Sequence, residues 1–125
     1  MMNLKYVVIG VLLACVLPPL VHTQPTRTAG DSTTFDFWIG EWDLRWSFGD
    51  SAAGHGRNTL TKILDGTVIE EQFEALTGSI AGLKGMSLSV FTHNDGRWHQ
   101  TWVDNDGSYL DFAGGLMGDK PFFER

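Results

Sequence analysis

The residues of this chain able to do chemistry are few. They are the adjacent carboxylates Glu70 and Glu71, the histidines His55, His93 and His99, an Asp104-Asn105-Asp106-Gly107 run, and five tryptophans. Neighbouring residues on a strand point to opposite faces, so Glu70 and Glu71 cannot serve one substrate as an acid–base pair. One of the two can face inward, where Arg45 or Lys62 on a neighbouring strand would neutralise it, although an ordinary solvated carboxylate is the leading reading. The histidines show no H-x-H or H-x-x-x-H spacing, and no metal or haem site is expected from them. The Asp104 run lacks the further acidic position and the closing Glu of a calcium loop, and reads as a hairpin turn. No G-x-S-x-G elbow and no phosphate loop occurs, and Ser87 and Ser89 alternate along one strand without a His or Asp partner. These residues name no reaction and call for no cofactor.

Binding is the chemistry that remains. Trp38, Trp42, Trp46, Trp98 and Trp102 suit either of two roles: the apolar wall of a ligand pocket, or the filling of a small core in which each ring buries a large area. Both hold if Trp42 plugs one end and Trp98 or Trp102 lies nearer a cavity. The candidate ligand-contacting set is therefore Trp42, Trp46, Glu70, Glu71, Trp98, Gln100 and Trp102. In it the rings supply apolar surface, while Gln100 and one of the two glutamates supply polar contacts. His99 has the parity opposite to Trp98 and Trp102, so it faces outward if they face inward.

The elements that must position these residues are strands. Trp42, Leu44, Trp46 and Phe48 share one parity against Asp43, Arg45 and Ser47, the period of a half-buried strand. The same period marks Asn58 to Leu64, Thr67 to Ala75, Leu83 to Thr92, Arg97 to Asp104, and Tyr109 to Ala113. Met86, Leu88 and Val90 fall together on one face, and Trp98, Gln100 and Trp102 on another. Asn94-Asp95-Gly96 and Asn105-Asp106-Gly107 are strong hairpin signals, because consecutive turn positions with positive φ favour Asn, Asp and Gly. Phe48 to Gly56 reads as a glycine-rich loop, and Phe35 to Ile39 as a short helical turn. About six hairpin-linked strands spell an all-β antiparallel meander, a sandwich or an up-and-down barrel.

Composition sets the outer bounds. The chain has 125 residues, 42% of them apolar, which suits one folded domain and not a disordered one. Nine basic against fifteen acidic residues, a net charge of −6, argues against a nucleic-acid partner. Cys15 is the only cysteine, which excludes an intramolecular disulfide framework. It lies in a segment, residues 1–23, that reads as a secretory signal: Lys5, an apolar run from Tyr6 to Leu17, then Pro18 and Pro19. Export to the periplasm or beyond is expected. Leu12-Leu13-Ala14-Cys15 offers the alternative of a lipoprotein anchored through Cys15. Residues 24–34 read as a flexible leader, and residues 35–125 as the domain.

The opening Phe35-Asp36-Phe37-Trp38-Ile39-Gly40-Glu41-Trp42-Asp43 resembles the F-D-F-W-x-G-x-W-D start of a bacterial family of unknown function. The resemblance continues through Leu64-Asp65-Gly66, Glu70-Glu71, Gly85-Met86-Ser87-Leu88-Ser89 and Trp98-His99-Gln100-Thr101-Trp102-Val103-Asp104. That family looks like a calycin, the superfamily of lipocalins and fatty-acid-binding proteins. Gly40-Glu41-Trp42 is similar to the G-x-W of the first lipocalin strand, whose tryptophan plugs the barrel base. The resemblance implies a calycin-like up-and-down barrel. Family members run on for several more strands, and six fall short of the roughly eight of a closed barrel, so the barrel is expected to be incomplete. On this reading the domain binds a small apolar or amphipathic ligand in a tryptophan-lined cup and is not an enzyme. The alternative is an interaction module whose open sheet edges pair with another chain, including a second copy.

Overall fold

Period-two alternation becomes strand throughout residues 24–47 and 53–125, which the computed structural model describes. The strands are β1 (Arg27–Thr28), β2 (Gly40–Trp46), β3 (Gly54–Ile63), β4 (Val68–Thr77), β5 (Lys84–Thr92), β6 (Arg97–Asp104), β7 (Tyr109–Met117) and β8 (Lys120–Glu124). A single 3₁₀ turn, Asp36–Trp38, precedes β2. From β2 to β7 each strand pairs antiparallel with the next, β8 pairs with β7, and the short β1 also pairs with β7. β2 and β8 do not pair with each other, so the meander is a curled half-barrel. The all-β, incomplete up-and-down architecture is the one that the alternation spells.

Three local features exceed the sequence reading. β8 and β1 add to the six expected strands. β3 starts at Gly54, inside the stretch read as a loop, because the Trp46 ring lies across Gly54 and Gly56 and needs their bare backbone. Residues 24–34 carry β1 and a turn at Asp31, whose carbonyl accepts the Trp98 indole N–H at 2.8 Å. The expected signal segment 1–23, with Cys15, lies outside the described residues. So does Phe48, the last residue of the first expected strand.

The hairpin tips follow their turn chemistry. Gly96 (φ 66°) and Gly107 (φ 85°) supply the left-handed positions that the Asn-Asp-Gly runs promise. Between β3 and β4 the non-glycine residues Leu64 and Asp65 also adopt positive φ, 50° and 57°.

Register assigns the faces. The inner face carries Trp42, Leu44 and Trp46 from β2, Asn58, Leu60 and Lys62 from β3, and Ile69, Glu71, Phe73 and Ala75 from β4. It continues with Gly85, Ser87, Ser89 and Phe91 from β5, Trp98, Gln100, Trp102 and Asp104 from β6, and Phe112 and Phe123 from β7 and β8. Met86, Leu88 and Val90 do share a face, but it is the outer one, where Met86 and Leu88 are 37% and 40% exposed. Their partners in the alternation, Ser87 and Ser89, take the buried side instead.

The apolar core occupies one end of the inner face. Phe35, Leu60, Ile69 and Trp98 are buried there, with Trp38, Ile39, Phe91 and Phe123 packed against them. Phe35 stacks on Phe123 with ring centroids 4.6 Å apart and meets Trp98 edge-on at 5.0 Å. Aromatic pairs of this geometry add roughly 0.5–1.5 kcal/mol beyond the area they bury. The 3₁₀ turn thus caps this end, and Lys62 ties it down by an ion pair to Asp36 at 2.7 Å.

Candidate functional site

Polar residues interrupt the inner face just beyond that core. Glu71, on the central strand β4, is 7% exposed and accepts hydrogen bonds on both oxygens. Asn58 Nδ2 donates to Oε1 at 2.7 Å, and Ser87 Oγ donates to Oε2 at 2.6 Å. Gln100 Nε2 extends the row, donating at 3.1 Å to both Ser87 Oγ and Ser89 Oγ. Five side chains from β3, β4, β5 and β6 thereby form one hydrogen-bonded band across the sheet. Buried polar groups must be satisfied or they cost free energy, and this band nearly manages it. Asn58 Oδ1 is the exception: it is buried with no donor among the described residues.

A second aromatic group lies on the far side of the band. Phe73 sits between Trp46 and Trp102, each with its ring centroid 6.0 Å away and tilted. Phe73 is the next inward residue after Glu71 on β4, and Trp102 is the register partner of Ser87, so the aromatic group adjoins the polar band directly. Glycines make room for it. A Cβ on Gly85 would fall 2.0 Å from the Trp102 ring, and one on Gly54 would fall 2.0 Å from Trp46 Nε1. The Trp102 indole N–H donates to Asp104 Oδ2 at 2.9 Å. That bond, with the Ser108 backbone N–H, holds the Asp104 carboxyl below the ordinary aspartate range. Trp46 Nε1 is buried without an acceptor among the described residues.

Of the two adjacent glutamates, Glu71 faces inward; Glu70 faces outward and accepts from Gln72 Nε2 at 3.0 Å. Arg45 and Lys62 do not neutralise Glu71. Arg45 lies on the outer face opposite His55, and Lys62 is engaged by Asp36. Trp98 is 2% exposed and belongs to the core, away from the open end. Trp42 is 41% exposed and donates to the Trp38 carbonyl at 2.8 Å, so it does not plug an end; Phe35 and Trp38 do. Gln100 belongs to the band, and Trp46 and Trp102 flank Phe73 beside it. Asn58, Phe73, Ser87 and Ser89 were not anticipated as contributors. Parity with Glu71 on β4 is the signal that finds Phe73; Asn58, Ser87 and Ser89 lie on other strands, and only the register between strands brings them in.

Compared with family models, curated proteins and solved structures, the chain matches none.

The outer face offers a different kind of feature. An open depression of about 530 Å³ is bordered mainly by the outer-face residues Arg57, Gln72, Glu74, Lys84, Met86 and Val103, and it reaches Phe73, Gly85 and Asp104. Its Lys84 and Glu74 pair with each other at 3.3 Å. His99 also faces outward, its Nε2 2.7 Å from Asp95 Oδ2 at the β5–β6 turn.

Proposed function

We propose that the domain binds a small amphipathic molecule on its inner face, with the apolar part against Trp46, Phe73 and Trp102 and the polar end toward the Glu71 band. One observation carries this reading: a hydrogen-bonded polar band, buried at Asn58, Glu71, Ser87 and Ser89, lies beside a partly exposed aromatic group on the inner face. Binding sites pair mostly apolar walls with a few fixed polar groups in this way. The calycin-like resemblance of the opening Phe35–Asp43 run supports the same reading. Pairing through sheet edges has less support. β8 contains Pro121, and β2 carries Glu41, Asp43 and Arg45, features that blunt an edge.

The test is a titration with N-phenyl-1-naphthylamine, a neutral apolar fluorophore, following both its emission and that of the tryptophans. Saturable probe enhancement with matching tryptophan quenching is expected. A flat titration with cooperatively folded protein contradicts the reading.

A further inference from the structure

We propose that the polar end of the ligand is a cation, an organic ammonium group, seated beside Trp46, Phe73 and Trp102 with its charge toward Glu71; this rests on the binding reading above and names its ligand class.

Charge on the inner face is one-sided. Glu71 and Asp104 bring two carboxylates to the open end, and the only Lys or Arg on this face among the described residues is Lys62. Its ammonium is 2.7 Å from Asp36 at the capped end and so is already matched. Both hydrogen bonds to Glu71 come from neutral donors, an amide and a hydroxyl, which orient the carboxylate without cancelling its charge. A carboxylate offers about four acceptor positions, and two are used. The buried Asn58 Oδ1 adds an acceptor with no donor of its own among the described residues.

The aromatic group supplies the second half of the recognition. Ring faces attract cations through their quadrupole, and quaternary ammonium ligands are held by cages of several aromatics. Phe73 with a tryptophan 6.0 Å to either side is such a grouping, already held in place by the glycines beneath the two indoles. An anionic amphiphile meets the same rings but faces two carboxylates and, among the described residues of this face, no free cation. Fatty acids are therefore disfavoured, and an amine or quaternary ammonium with an apolar body fits.

The experiment compares three ten-carbon probes at monomeric concentrations: decyltrimethylammonium, decanoate and decanol, each displacing N-phenyl-1-naphthylamine from the wild-type protein. The expected result is that the cation displaces at concentrations at least tenfold lower than decanoate, and that this preference shrinks several-fold in Glu71→Gln. The wild-type comparison stands even if that variant does not fold, and Asp104→Asn, which removes the second carboxylate, then serves in its place. Equal displacement by the three probes, or a preference for decanoate, overturns the charge assignment and leaves the binding reading intact. If N-phenyl-1-naphthylamine itself does not bind, both fail.

Discussion

The two ends of the inner face use the same residue types to opposite effect. At the capped end Trp98 is 2% exposed, its indole N–H reaches the Asp31 carbonyl, and Phe35, Trp38, Phe91 and Phe123 close around it. At the open end Trp46 and Trp102 lie flat on glycine backbone with Phe73 between them, and all three rings stay partly exposed. The first arrangement buries rings against other side chains, which is what a core requires. The second orders rings while leaving part of each open, which spends packing on a surface. A partly exposed, pre-ordered aromatic surface beside a buried carboxylate is what a binding site requires. Tryptophan alone decides neither role; the partner opposite each ring does.

Truncation should separate the two ends most sharply. Trp98→Ala removes a fully buried ring and is expected to cost about 3–5 kcal/mol, read as a large drop in urea midpoint or outright loss of the cooperative transition. Trp102→Ala removes a half-exposed ring and should cost less than about half of that, while abolishing the probe response. Equal losses at the two positions would erase the distinction between core and site.

A smaller effect belongs to the capped end alone. At the β5–β6 turn Asp95 accepts from Thr92 Oγ1 and pairs with His99, and these bonds hold its carboxyl at about 2, against an ordinary value of 3.8. A carboxyl lowered on folding stabilises the native state above its unfolded value. That contribution is fully present above about pH 4 and is lost as pH falls from 3.8 through 2. Asp95→Asn should therefore lower the urea midpoint modestly at neutral pH, and the difference from wild type should vanish near pH 2. A difference that stays constant from pH 7 to pH 2 would remove the turn carboxylate from the account.

Much of this arrangement is legible in the sequence because strand parity is. Adjacent Glu70 and Glu71 had to separate onto two faces, Trp98, Gln100 and Trp102 had to share one, and the two Asn-Asp-Gly runs had to be turns. What parity leaves open is which face is inside. Hydrophobicity points the wrong way on β5, where Met86 and Leu88 are outside and Ser87 and Ser89 inside, because the serines complete a hydrogen-bonded band that only neighbouring strands reveal. The capped end was illegible for another reason. Phe35 and Phe123 lie near opposite ends of the domain sequence, and their stacking depends on how far the sheet curls. Glycine was the underused signal: Gly54, Gly56 and Gly85 alternate in step with large aromatics on the next strands, and mark where rings lie down.

The most direct test of a divided inner face is to follow the indole N–H resonances of uniformly ¹⁵N-labelled protein while decyltrimethylammonium is added. The account predicts that the Trp46 and Trp102 signals shift along a saturable curve while Trp98, donating to Asp31 inside the core, stays fixed. A Trp98 shift as large as theirs, or movement of Trp98 alone, would contradict it.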